Sequence, residues 1–168
     1  MDFEITEPFP YEREWSKRWY SSKFKGPGLR YEICVAILTG DIVWVNGPFA
    51  CGLWSDWKIF SQAGLASNLD ENERVEADDG YKHGDPAMVK SKSGIFHDNH
   101  EIRNTVRARQ ETVNKRIKQF GALSSVFRHG VQKHGIVFDS AAVLTQLSID
   151  RGETLFQIDE EEYNTFDI

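Results

Sequence analysis

Cysteine is scarce. The 168-residue chain has two, Cys34 and Cys51, each in apolar surroundings and not in a C-x-x-C pair. That argues against a disulfide framework and for a reducing compartment. It also disfavours zinc, which needs four ordered ligands at known spacings. His97 and His100 stand three apart near an expected helix start, and His129 and His134 lie further on, so capping and solvent exposure are their expected roles. No apolar run is long enough to span a bilayer and no signal peptide is recognisable, so a soluble, intracellular protein with no membrane partner is expected. There is no Walker motif, no G-x-G-x-x-G, no G-x-S-x-G and no H-E-x-x-H, which removes four common chemistries. Excess positive charge is lacking too. Twenty Lys and Arg against 26 Asp and Glu leave a net charge of -6, so the molecule as a whole has no general attraction for nucleic acid.

What is present is ordinary globular material, 40% hydrophobic and 27% charged. A domain of this length buries about 70% of its unfolded surface. The charge is unevenly spread. Between Arg103 and His134 the only acid is Glu111, among Arg103, Arg107, Arg109, Lys115, Arg116, Lys118, Arg128 and Lys133. The end is acidic, with Asp159, Glu160, Glu161, Glu162 and Asp167. A basic segment with an acidic tail hints at nucleic-acid contact, although a solvated basic helix face explains the same charges.

Period and punctuation give a coarse map. Phe3 and Ile5 alternate with Asp2 and Glu4 from the first residues, as in a strand. A domain that opens in mid-strand is expected to lack its natural beginning. After the breaker Gly26-Pro27-Gly28, a hairpin is expected over Tyr31 to Val45, turning at Thr39-Gly40-Asp41. "SDWKIFSQAGLASNL" has helical spacing, capped by Ser55 or Asp56. "RVEA" reads as a short strand and Ala87 to Lys90 as a brief one. Asp98 and Glu101 form a capping box for a long helix that carries Val106, Val113, Ile117 and Phe120 on one stripe and stops at Gly121. A last helix is expected over Val137 to Ile149. Strands and helices mix, which predicts a small mixed sheet with helices packed on it.

Two acids have a reason to meet. Asp78 stands at the C-terminal end of a short strand, where open α/β sheets gather ligands. Its neighbour Asp79 points to the opposite face by strand parity. Glu111 is the lone acid of the basic helix, with Arg107 and Lys115 four residues to either side. Salt bridges to these two explain Glu111 alone, and an acidic surface turn explains Asp78 alone. Together they suit magnesium, which takes carboxylate oxygens, and the paired-ion chemistry of phosphoryl transfer. Basic residues nearby would contact phosphates without reading sequence. The tryptophans are expected in the core, although Trp15 and Trp19, beside Lys17, Arg18, Lys23 and Lys25, have the chemistry to stack on bases.

Four segments in order, "YEICVAILTGDIVWVNGPFACGLWSDWKIF", "RVEADDGY", "RQETVNKRIKQFG" and "VFRHGVQKHGIVFDSAAVLTQLSIDRGETLF", resemble the DDE superfamily endonucleases of the PIF/Harbinger transposase type. The resemblance covers most of Phe3 to Phe156. It implies a ribonuclease-H-like domain over residues 1–156, an α/β fold with a central mixed sheet flanked by helices and its first strand partly missing, followed by an acidic tail over 157–168. It implies DNA cleavage and strand transfer dependent on Mg2+ or Mn2+, with Asp78 as the second catalytic acid and metal ligand and Glu111 as the third. Arg107, Arg109, Lys115, Arg116 and Lys118 become the pool for DNA-backbone contacts. Trp54, Ser55 and Asp56 match a small motif before the first helix, which makes Asp56 a structural or capping residue. The family's first acid would fall three positions before Asp2, and neither Asp2 nor Glu4 shares the required face. Little or no activity is therefore expected of this chain alone. The implied partners are DNA and a second copy or a separate DNA-binding subunit, and the implied location is the nucleus. The alternative is a non-catalytic DNA- or protein-binding remnant of a transposase.

Overall fold

The computed structural model describes residues 1–6, 17–71, 73–77, 81, 89–91, 100–156 and 158. The chain is a mixed α/β protein with one small antiparallel sheet, one parallel pair of strands and several helices.

The antiparallel sheet is built around β3 (Gly26–Val35). On one edge β1 (Asp2–Glu4) pairs with it, Asp2 opposite Arg30 and Glu4 opposite Gly28. On the other edge lies β4 (Ile42–Ala50), and β2 (Tyr20–Ser21) pairs with the first residues of β3. The predicted hairpin is present and longer than its apolar run, because the breaker Gly26-Pro27-Gly28 is itself part of the strand. Between Arg30 and Glu32 of β3 the partner advances from Phe49 to Asn46, so the irregularity is in β4 and β3 keeps strict alternation. Leu29, Tyr31, Ile33 and Val35 therefore face one side of the sheet, and Arg30, Glu32 and Cys34 the other.

Two long helices cover the first side. α3 (His100–Gln119) contributes Val113 and Ile117, both fully buried, with Phe120 just beyond its end. α4 (Val131–Asp150) contributes His134, Phe138, Ala141, Ala142, Thr145 and Ile149. It starts six residues before the expected Val137. The expected helix leaves out His134 and Gly135, and solvent exposure is expected of His134, yet both are buried. A Cβ on Gly135 would stand 3.3 Å from the Pro48 ring, so glycine lets this helix approach β4 closely.

On the second side lie α1 (Asp56–Gln62) and α2 (Leu65–Asn68). Ser55 is the cap, its hydroxyl accepting from the Lys58 N–H at 3.2 Å. The single helix expected here is broken at Gly64, which has φ 119°. Only glycine takes that conformation cheaply, and the break turns Leu65 into the second core beside Phe60. Gly64→Ala is expected to lose about 1–2 kcal/mol. Urea denaturation with an unchanged slope checks it, and a neutral result would mean that the break is not required.

β5 (Val75–Ala77) and β6 (Val89–Ser91) form a parallel pair that, among the described residues, shares no hydrogen-bonded strand with the main sheet. Among the described residues the strands of the expected single mixed sheet fall in two sheets. The expected cap Asp98 and all of the acidic tail except Ile158 lie outside the described residues. Among the described residues no helix is long and apolar enough to cross a membrane.

Both cysteines are free thiols. Burial pushes Cys34 up to about 12 and Cys51 up to about 11, so both stay protonated at neutral pH.

Candidate functional site

A cavity of about 920 Å³ separates the two sheets. β3 borders it along Tyr31–Val35 and β5 along Val75–Ala77. α3 forms one wall with Val106, Arg107, Gln110, Glu111 and Asn114, residues that helical spacing stacks on one stripe. α1 and α2 form the other wall with Asp56, Phe60, Leu65 and Asn68.

Glu111 is exposed and opens onto this cavity. Among the described residues no ion pair joins it to Arg107 or Lys115, the salt bridges that would have explained it structurally. Asp78 and Asp79 lie outside the described residues. Ala77 and Tyr81, the described residues on either side of 78–80, both line the cavity that Glu111 lines. Among the described residues no group of three or more His, Cys, Asp or Glu is arranged to hold a metal.

The basic helix divides by face. Arg109 is a correction to the pool of DNA contacts: it is only 4% exposed. Its guanidinium donates to the Leu38 carbonyl at 3.0 Å and also to the carbonyls of Ile37 and Phe156. The signal was in the spacing. Arg109 lies three residues after Val106 and four before Val113, on the buried stripe itself. Arg116, one heptad on, donates to the Glu153 carbonyl at 2.6 Å. Lys118 is half-buried, its ammonium 5.4 Å from the Phe3 ring centre. Arg107 remains on the cavity wall and Lys115 remains exposed. Trp19 is buried, which rules it out for base stacking, and Trp15 lies outside the described residues.

Three charged groups on β1 and β3 have no site role in the sequence reading: Asp2, set aside by strand parity as a stand-in for the first acid, Arg30 and Glu32. Asp2 is buried and accepts two hydrogen bonds from Arg30, at 2.8 and 2.9 Å. Burial pushes its carboxyl up, but Arg30 and the N-terminal ammonium outweigh burial and hold it below the usual carboxylate value. Arg30 also reaches the Trp54 carbonyl at 3.0 Å and stands 3.5 Å from Asp56. Asp56 is thus tied into the structure beside a cap, as the expectation for it had it. Glu32 is 5% exposed and lines the cavity. Trp44 donates to one of its oxygens at 3.0 Å, the other oxygen is buried without a partner, and burial raises its pKa. Alternation along β3 sets Glu32 on the face opposite Tyr31; that both faces are covered is not visible in the sequence.

Comparison of the chain with protein-family models, with curated proteins and with solved structures gave no match.

Proposed function

We propose that this chain is a transposase-derived DDE nuclease domain of ribonuclease-H-like fold, with Asp78 and Glu111 as ligands for Mg2+ or Mn2+ and the DNA backbone as its partner. The observation that carries the reading is shared lining: Glu111, which among the described residues makes no ion pair with Arg107 or Lys115, opens onto the same cavity as Ala77 and Tyr81, the described residues on either side of 78–80. An antiparallel run of strands, a parallel pair beside it and helices over both faces agree with the proposed fold.

The donor set suits the ion. Two carboxylates leave room for the waters that magnesium keeps. The bound ion would polarise a phosphodiester and lower the pKa of an attacking water. Arg107 on the cavity wall and Lys115 on the exposed face would hold backbone phosphates; Arg109 is withdrawn from that role by its burial. The 168 residues carry two acids for a site that the family builds from three, so nicking of DNA is expected at background level.

Manganese titration followed by electron paramagnetic resonance is the test. Binding by the native chain is expected, weakened at least tenfold in Asp78→Asn and in Glu111→Gln. Binding unchanged in both variants would overturn the site. A magnesium- or manganese-dependent nicking assay completes it: robust cleavage abolished by Asp78→Ala would refute the expected inactivity. DNA binding with a steep salt dependence, indifferent to both substitutions and coupled to no metal, would favour the non-catalytic remnant.

A further inference from the structure

α4 carries apolar residues on two faces. One face packs in the core with His134, Phe138, Ala141, Ala142, Thr145 and Ile149. On the other, Ile136 and Val143 are each 67% exposed, Leu144 is 50% exposed and Leu147 40%. Single exposed aliphatics are ordinary, but four together on one helix form a patch of the kind that marks an interaction surface. No residue of α4 lines the cavity between the sheets, so this face is separate from the candidate metal site.

The spacing along the exposed face indicates its occupant. Lys133, Ile136, Ser140, Val143, Leu147 and Asp150 are all exposed and follow one another at intervals of three, four, three, four and three. That is the a/d seam of a coiled coil, with Leu144 on its flank. The intervals read the same from either end. In an antiparallel second copy, Lys133 meets Asp150, Ile136 meets Leu147 and Ser140 meets Val143. Each pairing then occurs twice, about a two-fold axis level with the Ala141–Ala142 bond. Every layer matches: opposite charges at both ends, aliphatic on aliphatic inside them, and a small residue beside valine at the centre. A parallel pair would set Lys133 on Lys133 and Asp150 on Asp150, like charge on like.

The polar members of the seam suit this arrangement. Ser140 donates to the Ile136 carbonyl at 2.8 Å, so its hydroxyl is already satisfied and its small side chain lets two helices approach closely. Gln146 donates to Asp150 at 2.8 Å and holds that carboxylate on the helix surface. Lys133 makes no ion pair among the described residues. Antiparallel packing also sets the N-terminus of each helix beside the C-terminus of the other, where their dipoles attract. A lipid surface is a poorer match, because helices that lie on membranes are rich in Lys and Arg beside the apolar face, and here Asp139 and Asp150 offset Lys133 and Arg151.

We propose that the exposed face of α4 is a self-association surface, through which two copies of this chain pair antiparallel over Lys133–Asp150 about a two-fold axis. The contact is isologous, so it closes at a dimer. One helix face per copy lies at the small end of specific interfaces, and the dimer is accordingly weak and dependent on concentration. The family resemblance names a second copy as one of two alternative partners and gives it no surface. The surface rests on α4 alone and stands whether or not Asp78 and Glu111 hold a metal.

Sedimentation equilibrium of the full chain is the test. A reversible monomer–dimer equilibrium in the micromolar range is expected. Val143→Asp is expected to weaken it about tenfold or more, with an unchanged urea midpoint for the dilute monomer, since Val143 lies outside the core. Lys133→Asp and Asp150→Lys leave every apolar side chain in place. Each is expected to weaken self-association about fivefold, and an equimolar mixture of the two to regain it, because the charges of one variant then face their opposites on the other. A chain that stays monomeric at every concentration overturns the proposal. So does a dimer that Val143→Asp leaves intact, which would place the contact elsewhere. A dimer broken by Val143→Asp but indifferent to both charge reversals refutes the antiparallel register. Binding of the native chain to phosphatidylserine–phosphatidylcholine vesicles, abolished by Val143→Asp and with no dimer in solution, would assign the face to a lipid surface and refute the second copy. None of these measurements involves manganese or DNA, so their failure is separable from failure of the proposed nuclease site.

Discussion

Phe138→Ala is expected to destabilise the protein by about 4 kcal/mol. Phe138 is fully buried at the centre of the larger core. Its ring stacks on Tyr31 with centroids 3.7 Å apart and planes 19° apart, and meets Phe3 edge-on at 5.5 Å. Tyr31 and Phe3 themselves meet edge-on at 5.8 Å. Truncation therefore removes contacts to β1 and β3 at once and leaves a void that rigid strands cannot collapse to fill. The effect should appear in urea denaturation as a lower midpoint with an unchanged slope. Ile136, two residues earlier on the same helix, is 67% exposed. Ile136→Ala is expected to cost about 0.5 kcal/mol or less. Equal costs for the two substitutions would mean that α4 presents a different face to the sheet.

The second large effect is a loss of stability in acid that belongs to His134. The ring is fully buried, edge-on to Phe3 and Phe127 and stacked on Tyr31, and its Nδ1 lies 2.8 Å from the Tyr31 hydroxyl. Its Nε2 has no partner. An imidazolium would place a second donor and a full charge in this apolar setting, and burial accordingly pushes the His134 pKa down to about 4 from an ordinary value of 6.5. The folded state therefore favours neutral histidine, and the unfolded chain binds the proton first as pH falls. The stability is fully present above about pH 6.5, drains away as pH falls through about 4, and changes no further below that. Its full size is about 3 kcal/mol, the free energy separating the two pKa values.

Other groups act near the same window. The raised pKa of Glu32 has the opposite slope, since its penalty grows as pH rises through the carboxylate range, and Asp2 matters only at lower pH. The informative quantity is thus the difference between the native chain and the Tyr31→Phe/His134→Leu pair, which removes both hydrogen-bonding partners and leaves neither orphaned. That difference should shift by about 3 kcal/mol between pH 7 and pH 4. Parallel stability curves for the two proteins would show that His134 does not titrate with folding.

Much of the architecture was legible because hydrophobic period is local. The alternation of Phe3 and Ile5, the β-rich arms around Thr39-Gly40-Asp41, and the stripe of Val113, Ile117 and Phe120 each specify an element without reference to the rest of the chain. Boundaries were less legible where packing overrode propensity. α4 takes in His134 and Gly135 because Tyr31 and Pro48 receive them, and neither partner is near in sequence. Charged residues were the least legible. Arg109 and Lys115 look alike in a basic run, yet one is sunk among backbone carbonyls and the other is in water.

The sequence by itself determined the kinds of element, their order, and the two acids, Asp78 and Glu111, on which the proposed chemistry turns. The tertiary structure alone decided that Glu111 is free of Arg107 and Lys115, that Asp2 and Glu32 are buried, and that an open space divides β3 from β5. The physical reason is range. Periodicity and capping act over three or four residues, whereas burial of a charge, the partner it finds and the gap between two sheets are set by segments tens of residues apart meeting in space.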